Sequence, residues 1–238
     1  MGIATGVQSV ILNDALNDGP MGDGLFEGLT EDNKTRLRNA SRPMSFRAGQ
    51  HIFRQGAVHE GIYILQEGIV RTYYVAPNGR EITLAHWSVP NFVGGPELFG
   101  GGEHVWSGLA KTDVRVLYVP GSALRALVAE IPALAISILD GVVGKARCYS
   151  VVLQMLGTRS VMQRLAYYLL LHAERTADGS LVVDTALKQA DIATIVGSTR
   201  QWVSSTLERF RVKGLIETDT EGRITIMNQR DLTEIAET

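Results

Sequence analysis

A short polar segment near the C-terminal end of the chain combines the side chains that proteins use to bind phosphates and base edges. Ser198 and Thr199 lie at a predicted helix start, where a hydroxyl caps a backbone N–H group and the remaining N–H groups favour a phosphate. Arg200 and Gln201 follow on the first turn, and Ser204 lies one turn further along. Arginine pairs with guanine and glutamine with adenine, so this spacing predicts base recognition in a major groove.

A helix-turn-helix is the element that presents such residues. The segment KQADIATIV predicts its first helix, and Gly197 supplies the left-handed backbone of the turn. Ala193 is small where the two helices must cross closely, and Gln189 on the first helix completes the predicted DNA contacts. The residues predicted to pack the two helices together are Ile192, Val196, Val203 and Leu207.

The charge distribution favours a local DNA-binding surface. The 238 residues carry a formal net charge of −2, so the chain has no global positive field. Between positions 188 and 213, however, five basic residues stand against two acidic ones, which is the local pattern expected of a DNA contact. They are Lys188, Arg200, Arg209, Arg211 and Lys213 against Asp191 and Glu208.

The first half of the chain has the pattern of a β-domain. A helix over residues 25–37, with Thr30 as its N-cap, is predicted before it. Short apolar runs punctuated by glycine follow, and Asn78-Gly79 is the strongest hairpin signal. The segment VWSGLAKTDVRVLYVP predicts two more strands. Many short strands of this kind imply a β-sandwich or barrel.

From Gly121 the pattern becomes helical, with an apolar stripe at spacings of three and four residues. The stripe fits a helix packed on its own β-domain and also fits a seam between two subunits. A capping box of Ser160 and Gln163 predicts a break before residue 160, so 156–159 is a candidate hinge. The stripe consists of Leu139, Val142, Ala146, Tyr149, Leu153 and Leu156.

In this order, the roll, long helix, hinge and helix-turn-helix resemble the Crp/Fnr superfamily of bacterial transcription regulators. The resemblance covers about residues 25–230. It is carried by RAGQHIFRQG and GIYILQEGIVR in the roll, by TDVRVLYVP before the long helix, and by DIATIVGSTRQWVSSTLERFRVKGLI.

The resemblance implies an α+β fold with an N-terminal jelly-roll-type β-roll, similar to cyclic-nucleotide-binding domains. A long dimerisation helix and a C-terminal winged helix-turn-helix, with its wing around Glu221-Gly222, complete it. The domains implied are a flexible N-terminal arm (1–24), an effector-sensing roll (25–120), a dimerisation helix and hinge (121–157) and a DNA-binding domain (158–238).

For DNA binding, the resemblance places the family's base-reading arginine at Arg200. Gln201 stands where a glutamate often follows, and Ser205 where some members carry an arginine, so the operator should differ from that of the best-known members. The family also implies a homodimer on an inverted repeat in double-stranded DNA, with RNA polymerase as a further partner. The apolar stripe then becomes the subunit seam, and activation is the more common family role.

The resemblance also bears on the effector. In cyclic-nucleotide-binding members a glycine–glutamate pair holds the ribose, and an arginine followed by a hydroxyl residue holds the phosphate. Here Gly94 matches, but Gly95 replaces the glutamate and His104-Val105 replaces the arginine–hydroxyl pair. A cyclic phosphate needs charged or N–H donors, and histidine is a weak substitute near neutral pH. Cyclic AMP is therefore disfavoured.

Three alternatives remain for the roll. It could bind an uncharged or aromatic small molecule, hold haem through His86 or His104, or be empty. A cyclic nucleotide stays a weaker alternative, and the resident cofactor, if any, is left open. The predicted pocket residues are Trp87, Phe92, Gly94, His104, Trp106 and Tyr149, with Phe99 as a further aromatic candidate.

The composition argues against several other classes. Cys148 is the one cysteine of the chain, which excludes an internal disulfide and the usual ligand set of an iron–sulfur cluster. No HxH or HExxH spacing supports a metal-dependent enzyme, and no enzymatic activity is predicted. The rival class is a cupin-like ligand-binding or enzymatic roll with a helical interaction tail. Without a signal peptide or a membrane span, the expected location is the cytoplasm, with no membrane partner.

Overall fold

The computed structural model describes residues 24–95, 97–183, 188–220 and 222–237. Contacts between residues divide the chain into two units, Met1–Val151 and Val152–Thr238. The predicted N-terminal arm lies outside the described residues except for Gly24, and Glu221 of the predicted wing also lies outside them.

A short 3₁₀ helix (Gly24–Phe26) and α1 (Glu31–Asn39) open the described chain. Thr30 is the N-cap of α1, because its Oγ1 accepts a hydrogen bond of 3.3 Å from the backbone N–H of Asn33. The cap is confirmed, whereas the predicted start of the helix at residue 25 is wrong, because the α-helix begins only after this cap.

Eight strands form the predicted β-roll as two four-stranded antiparallel sheets. One sheet has the order β1-β8-β3-β6 and the other β2-β7-β4-β5. The predicted hairpin is confirmed: β4 and β5 are joined through Asn78 and Gly79, which has a φ of 79°. The strands are β1 (Arg42–Phe46), β2 (His51–Phe53), β3 (Gly61–Glu67), β4 (Val70–Val75), β5 (Glu81–Trp87), β6 (Phe92–Val93), β7 (Ser107–Ala110) and β8 (Val114–Pro120).

Two apolar clusters fill the first unit. One contains Ile62 and Ile64 of β3, and the other contains Leu65 of the same strand with Trp87 of β5. Cys148 is buried in the second cluster, and this burial raises the pKa of its thiol to about 11. The thiol is therefore protonated near neutral pH, as expected of an apolar filler.

The helical pattern predicted from Gly121 divides into α2 (Gly121–Glu130) and α3 (Pro132–Thr158). Proline is well suited to the first position of α3, because its missing N–H has no partner there in any case. The break predicted before residue 160 is confirmed by the capping box. Ser160 Oγ accepts from the N–H of Gln163 (3.3 Å), and Gln163 Oε1 accepts from the N–H of Ser160 (2.6 Å).

The second unit contains α4 (Val161–Leu171), α5 (Gln189–Ile195), α6 (Arg200–Val212) and α7 (Gln229–Glu237). Its antiparallel sheet has the order β11-β12-β10-β9, formed by β9 (Ala173–Arg175), β10 (Leu181–Val183), β11 (Ile216–Thr218) and β12 (Ile224–Ile226). The predicted wing is the β11–β12 hairpin, with Gly222 at a φ of 88°. The β9–β10 pair was not predicted, although Asp178-Gly179 between the two strands is a typical hairpin signal.

Candidate DNA-binding surface and effector cavity

The turn between α5 and α6 has the geometry that its sequence predicts. Gly197 has a φ of 61°, in the left-handed region that favours glycine. The N–H of Ser198 donates a hydrogen bond of 2.8 Å to the carbonyl of Ala193, which closes the turn. Ala193 and Val203 are both buried where the two helices pack. The helix-turn-helix is therefore confirmed.

Thr199 is the cap of α6. Its Oγ1 accepts a hydrogen bond of 3.2 Å from the N–H of Trp202. Of the two predicted capping residues, Ser198 and Thr199, it is therefore Thr199 that caps the helix. Trp202 is half-buried. Lys188 is the N-cap of α5 and provides no side-chain capping bond, as its type predicts.

The polar face of this motif forms one concave surface, which we call the recognition surface. Four of the six predicted DNA-contacting residues line it: Gln189, Arg200, Gln201 and Ser204. Ser198 and Thr199 lie at the turn that precedes α6 and are not part of its lining. Lys188 and Arg211, which the sequence analysis counted only in the local charge balance, also line it, and so does Thr218 of β11, which it did not mention.

Arg200 and Arg211 differ in their surroundings. The guanidinium of Arg211 donates two hydrogen bonds, of 2.9 and 2.7 Å, to the carboxylate of Glu208. Arg200 is exposed and forms no ion pair within the described part of the chain. No acidic side chain of the described residues therefore competes for the guanidinium of Arg200.

The β-roll contains a cavity of about 310 Å³, which we call the roll cavity. This volume is at the lower end of the range of small-molecule sites. Five of the six predicted pocket residues line it: Trp87, Phe92, Gly94, Trp106 and Tyr149. The other lining residues are Thr72, Val93, Gly95, Leu98, Val142, Lys145 and Ala146.

His104, the sixth predicted pocket residue, is not part of the lining. Its ring stacks on Phe53 at a centroid distance of 4.3 Å and lies 4.6 Å from the ring of His59. Burial lowers the pKa of both histidines, so both imidazoles are neutral near pH 7. His86, the other suggested haem ligand, is buried and does not line the cavity. Phe99 is not a lining residue either.

Lys145 is the charged residue of the described cavity lining, and the sequence analysis did not predict it there. Its Nζ atom is 4.0 Å from the ring centroid of Trp87 and 4.4 Å from that of Phe92. This atom is buried and has no hydrogen-bonding partner among the described residues. Burial lowers the pKa of Lys145 to about 7. The sequence placed Lys145 off the apolar stripe, which gave no signal that it lines the cavity.

The stripe along α3 is divided between two environments. Tyr149 packs edge-on against Trp87 and Trp106 inside the roll, at centroid distances of 6.2 and 5.6 Å. Leu139 and Leu153 are 62% and 72% exposed, and Val142 is also exposed. Ala146 is exposed and Leu156 is half-buried. Part of the predicted seam therefore packs on its own roll, and the rest carries aliphatic side chains on the surface.

A two-sheet roll with a cavity, a long helix and a winged helix-turn-helix define a class of DNA-binding transcription regulators. Residues 43–130 match the family model of the cyclic nucleotide-binding domain, and residues 163–235 match that of the Crp-like helix-turn-helix domain. The chain belongs to the Crp/Fnr superfamily of bacterial transcription regulators.

Individual relatives agree with this assignment. The chain is 28% identical over 211 residues to a CRP-like cAMP-activated global transcriptional regulator of Mycobacterium tuberculosis, covering 87% of this chain and 93% of the relative. It is 29% identical over 189 residues to a global nitrogen regulator of Synechococcus elongatus, covering 77% and 84%. A solved CRP-family transcriptional regulator from Thermus thermophilus is 26% identical, with a TM-score of 0.64 over 82% of this chain and 97% of the other.

These relatives are transcription regulators rather than enzymes, so the prediction of no enzymatic activity is confirmed and the cupin-like enzyme is disfavoured. No helix in the described part of the chain is long and apolar enough to cross a membrane. The same described residues contain no group of three or more histidine, cysteine, aspartate or glutamate side chains placed to hold a metal ion.

Proposed function

We propose that the protein is a homodimeric activator that binds an inverted-repeat operator in the cytoplasm and responds to a small effector other than cyclic AMP. The observation that carries this proposal is the recognition surface. It presents Arg200, Gln201 and Ser204 of α6 and Gln189 of α5 on one exposed face. RNA polymerase is the further partner that activation requires.

The capped start of α6 supports binding to the DNA backbone as well as to bases. The side chain of Thr199 satisfies one of the free N–H groups in the first turn, and the others remain available to a phosphate. A phosphate contact fixes the position of the helix in the groove, while Arg200 and Gln201 supply the base contacts. The operator sequence should therefore depend on these two side chains.

Dimerisation is supported by the exposed aliphatic residues of α3. Leu139, Val142 and Leu153 follow the three-and-four spacing of a helix pair, and each exposes apolar surface to water. A second copy of the same helix would bury this stripe in a two-fold seam. A two-fold dimer presents two recognition surfaces, which explains why the operator should be an inverted repeat.

Two replacements among the residues with which the family binds a cyclic nucleotide argue against cyclic AMP as the effector. Gly95 has no carboxylate for the ribose, and the neutral His104 is packed between Phe53 and His59. The roll therefore provides no cation at the position of the family's phosphate-binding arginine. The match to the cyclic nucleotide-binding family and the cAMP-activated relative keep a cyclic nucleotide as the alternative to be tested.

Selection of duplexes from a random DNA library tests the proposed operator. We expect the full-length protein to enrich an inverted repeat whose half-site centres lie about one helical turn, roughly 10–11 base pairs, apart. Enrichment of an unpaired half-site would contradict the dimeric operator, and no enrichment at all would contradict sequence-specific binding.

Titration of cyclic AMP into the complex with the selected duplex tests the effector. We expect the affinity for DNA to stay within about twofold, since Gly95 and the neutral His104 replace the side chains with which the family binds the ribose and the phosphate. A cyclic AMP-dependent gain of roughly tenfold or more would establish the cyclic nucleotide alternative instead.

A further inference from the structure

Two cationic groups buried in the first unit, on Arg71 of β4 and Lys145 of α3, have very different surroundings. The guanidinium of Arg71 donates to Thr83 Oγ1 and to the carboxylate of Glu81, each at 2.8 Å. Lys145 Nζ is also buried, but its neighbours are the faces of Trp87 and Phe92. Arg71 has the counter-ion that a buried charge requires, whereas Lys145 has none among the described residues.

Aromatic faces compensate a buried ammonium only in part. A cation over an aromatic ring gains far less than the burial of an unpaired charge costs. Burial without a counter-ion lowers the pKa of the Lys145 ammonium to about 7. An anion placed in the cavity would offset this cost and keep the ammonium charged.

The remaining lining of the roll cavity fits an apolar body. Trp87, Trp106 and Tyr149 provide ring surfaces, and Val93 and Leu98 provide aliphatic ones. No acidic side chain is present among the described lining residues.

Among the described lining residues, Thr72 is the one serine or threonine, and its hydroxyl already forms hydrogen bonds within the protein. Its Oγ1 accepts from Trp87 Nε1 at 3.0 Å and donates to the carbonyl of Ala85 at 3.3 Å. Lys145 is therefore the strongest polar group that the cavity offers to a ligand.

From this arrangement we infer that the roll cavity binds a small organic acid, in which one carboxylate pairs with Lys145 and an aromatic or aliphatic body contacts Trp87, Trp106 and Tyr149. A volume of about 310 Å³ suits a molecule with a single ring. The inference rests on the proposed effector role of the cavity and names the chemical class of the ligand.

The position of Lys145 also suggests how the ligand would act. The cavity is lined by Val142 and Ala146 of α3 as well as by Lys145, and Val142 belongs to the exposed stripe. An ion pair at Lys145 would therefore form on the helix that carries the proposed seam. Ligand binding and dimer geometry would then be coupled through one rigid element.

The test compares acids with their uncharged amides. Benzoate, phenylacetate and 3-phenylpropionate, each beside its primary amide, are titrated into the full-length protein by calorimetry at about pH 6.5, where Lys145 is largely protonated. We expect at least one acid to bind roughly tenfold or more tightly than its amide, the range of a charge-assisted pair. Equal binding of acids and amides, or binding of neither, would overturn the inference, and this comparison uses the unaltered protein.

Variants assign the effect to Lys145. Lys145→Met keeps the length of the side chain and should abolish the preference for the acid, whereas Arg147→Met, an exposed cation on the same helix, should keep it. A preference that survives Lys145→Met would also overturn the inference.

Binding to the selected duplex separates this inference from the proposed function. Acid binding with no change in duplex affinity would remove the effector role and leave the anion site. A duplex response to cyclic AMP but not to the acids would remove the organic-acid ligand and leave the regulated DNA binding.

Discussion

Gly95 lies against two buried imidazole rings. A Cβ at this position would approach His59 Cδ2 to 3.0 Å and His104 Nδ1 to 3.1 Å, closer than ordinary van der Waals contacts. A glutamate, as in the family's ribose-binding pair, would therefore require both rings to move. Because burial keeps both histidines neutral, Lys145 is the charge that this part of the roll presents to a ligand.

Lys145 should make stability depend on pH. Its pKa is lowered to about 7 in the folded protein from an ordinary 10.5, so the unfolded chain binds more protons between these values. The free energy of unfolding should thus rise with pH above about 7 and fall as the pH drops towards that value. Measured as melting temperature from about pH 7 to 9.5, this rise should be smaller in Lys145→Met.

The thiol of Cys148 and the phenol of Tyr149, which lie near Lys145, do not titrate in the folded protein within this pH range. Burial raises the pKa of Cys148 to about 11 and also raises that of Tyr149, so both stay protonated up to about pH 9.5. They are present in both proteins and cancel in the difference between the two curves. If melting temperature depends on pH in the same way in the wild type and in Lys145→Met, the pKa of Lys145 is not lowered in the folded protein.

Thr199 should stabilise the start of α6. Thr199→Ala removes the hydrogen bond to the N–H of Trp202 and should lower the free energy of unfolding by about 1 kcal/mol, measured by chemical denaturation. Ser198→Ala is the matched control, because its side chain is not the cap. Equal losses in both variants would show that the capping bond does not stabilise the helix.

Helix caps and tight turns could be predicted from sequence because their bonds are local. Thr30, Ser160 and Thr199 each bind a backbone N–H three residues further on. The hairpin through Asn78 and Gly79 depends in the same way on neighbouring residues. The three caps directly precede the first residues of α1, α4 and α6.

Contacts between residues that are distant in the sequence could not be predicted from local patterns. Lys145 lines the cavity beside Trp87 and Phe92, which lie on strands that are distant from α3 in the sequence. No residue spacing within α3 reveals this contact. His104 was expected in the cavity, but stacking on Phe53 and contact with His59 hold it outside the lining. The aromatic lining itself was largely predicted, because large aromatic side chains of a β-domain are mostly buried.

The exposed stripe of α3 should hold two subunits together. Leu153→Glu places a charge within the proposed seam and should convert the dimer to a monomer. Its mass is measured by native mass spectrometry. Val58→Glu, at another exposed aliphatic residue that lies outside α3, is the control and should remain dimeric. A dimeric Leu153→Glu variant would contradict the seam.

At the scale of the whole molecule, the two ends of the chain carry separate chemistry. The first unit encloses an aromatic cavity with one buried lysine, and the second presents an exposed, basic recognition surface. The helix α3 runs from Pro132 to Thr158 and so belongs to both units. A ligand bound at Lys145 can influence DNA binding only if it binds with different affinity to two states of the protein that also differ in their affinity for DNA.

Arg200 is the side chain through which we propose that α6 reads bases. The measurement that tests this proposal most directly is the affinity of Arg200→Ala for the selected duplex and for duplexes altered at single positions, at one fixed salt concentration. Arg230→Ala, an exposed arginine on α7, is the matched control.

We expect Arg200→Ala to lose about 1–3 kcal/mol of specific binding and to relax base choice at one position of the half-site, while Arg230→Ala changes neither. If Arg200→Ala binds with unchanged affinity and unchanged base preference, α6 is not the recognition helix and the account of DNA binding is wrong.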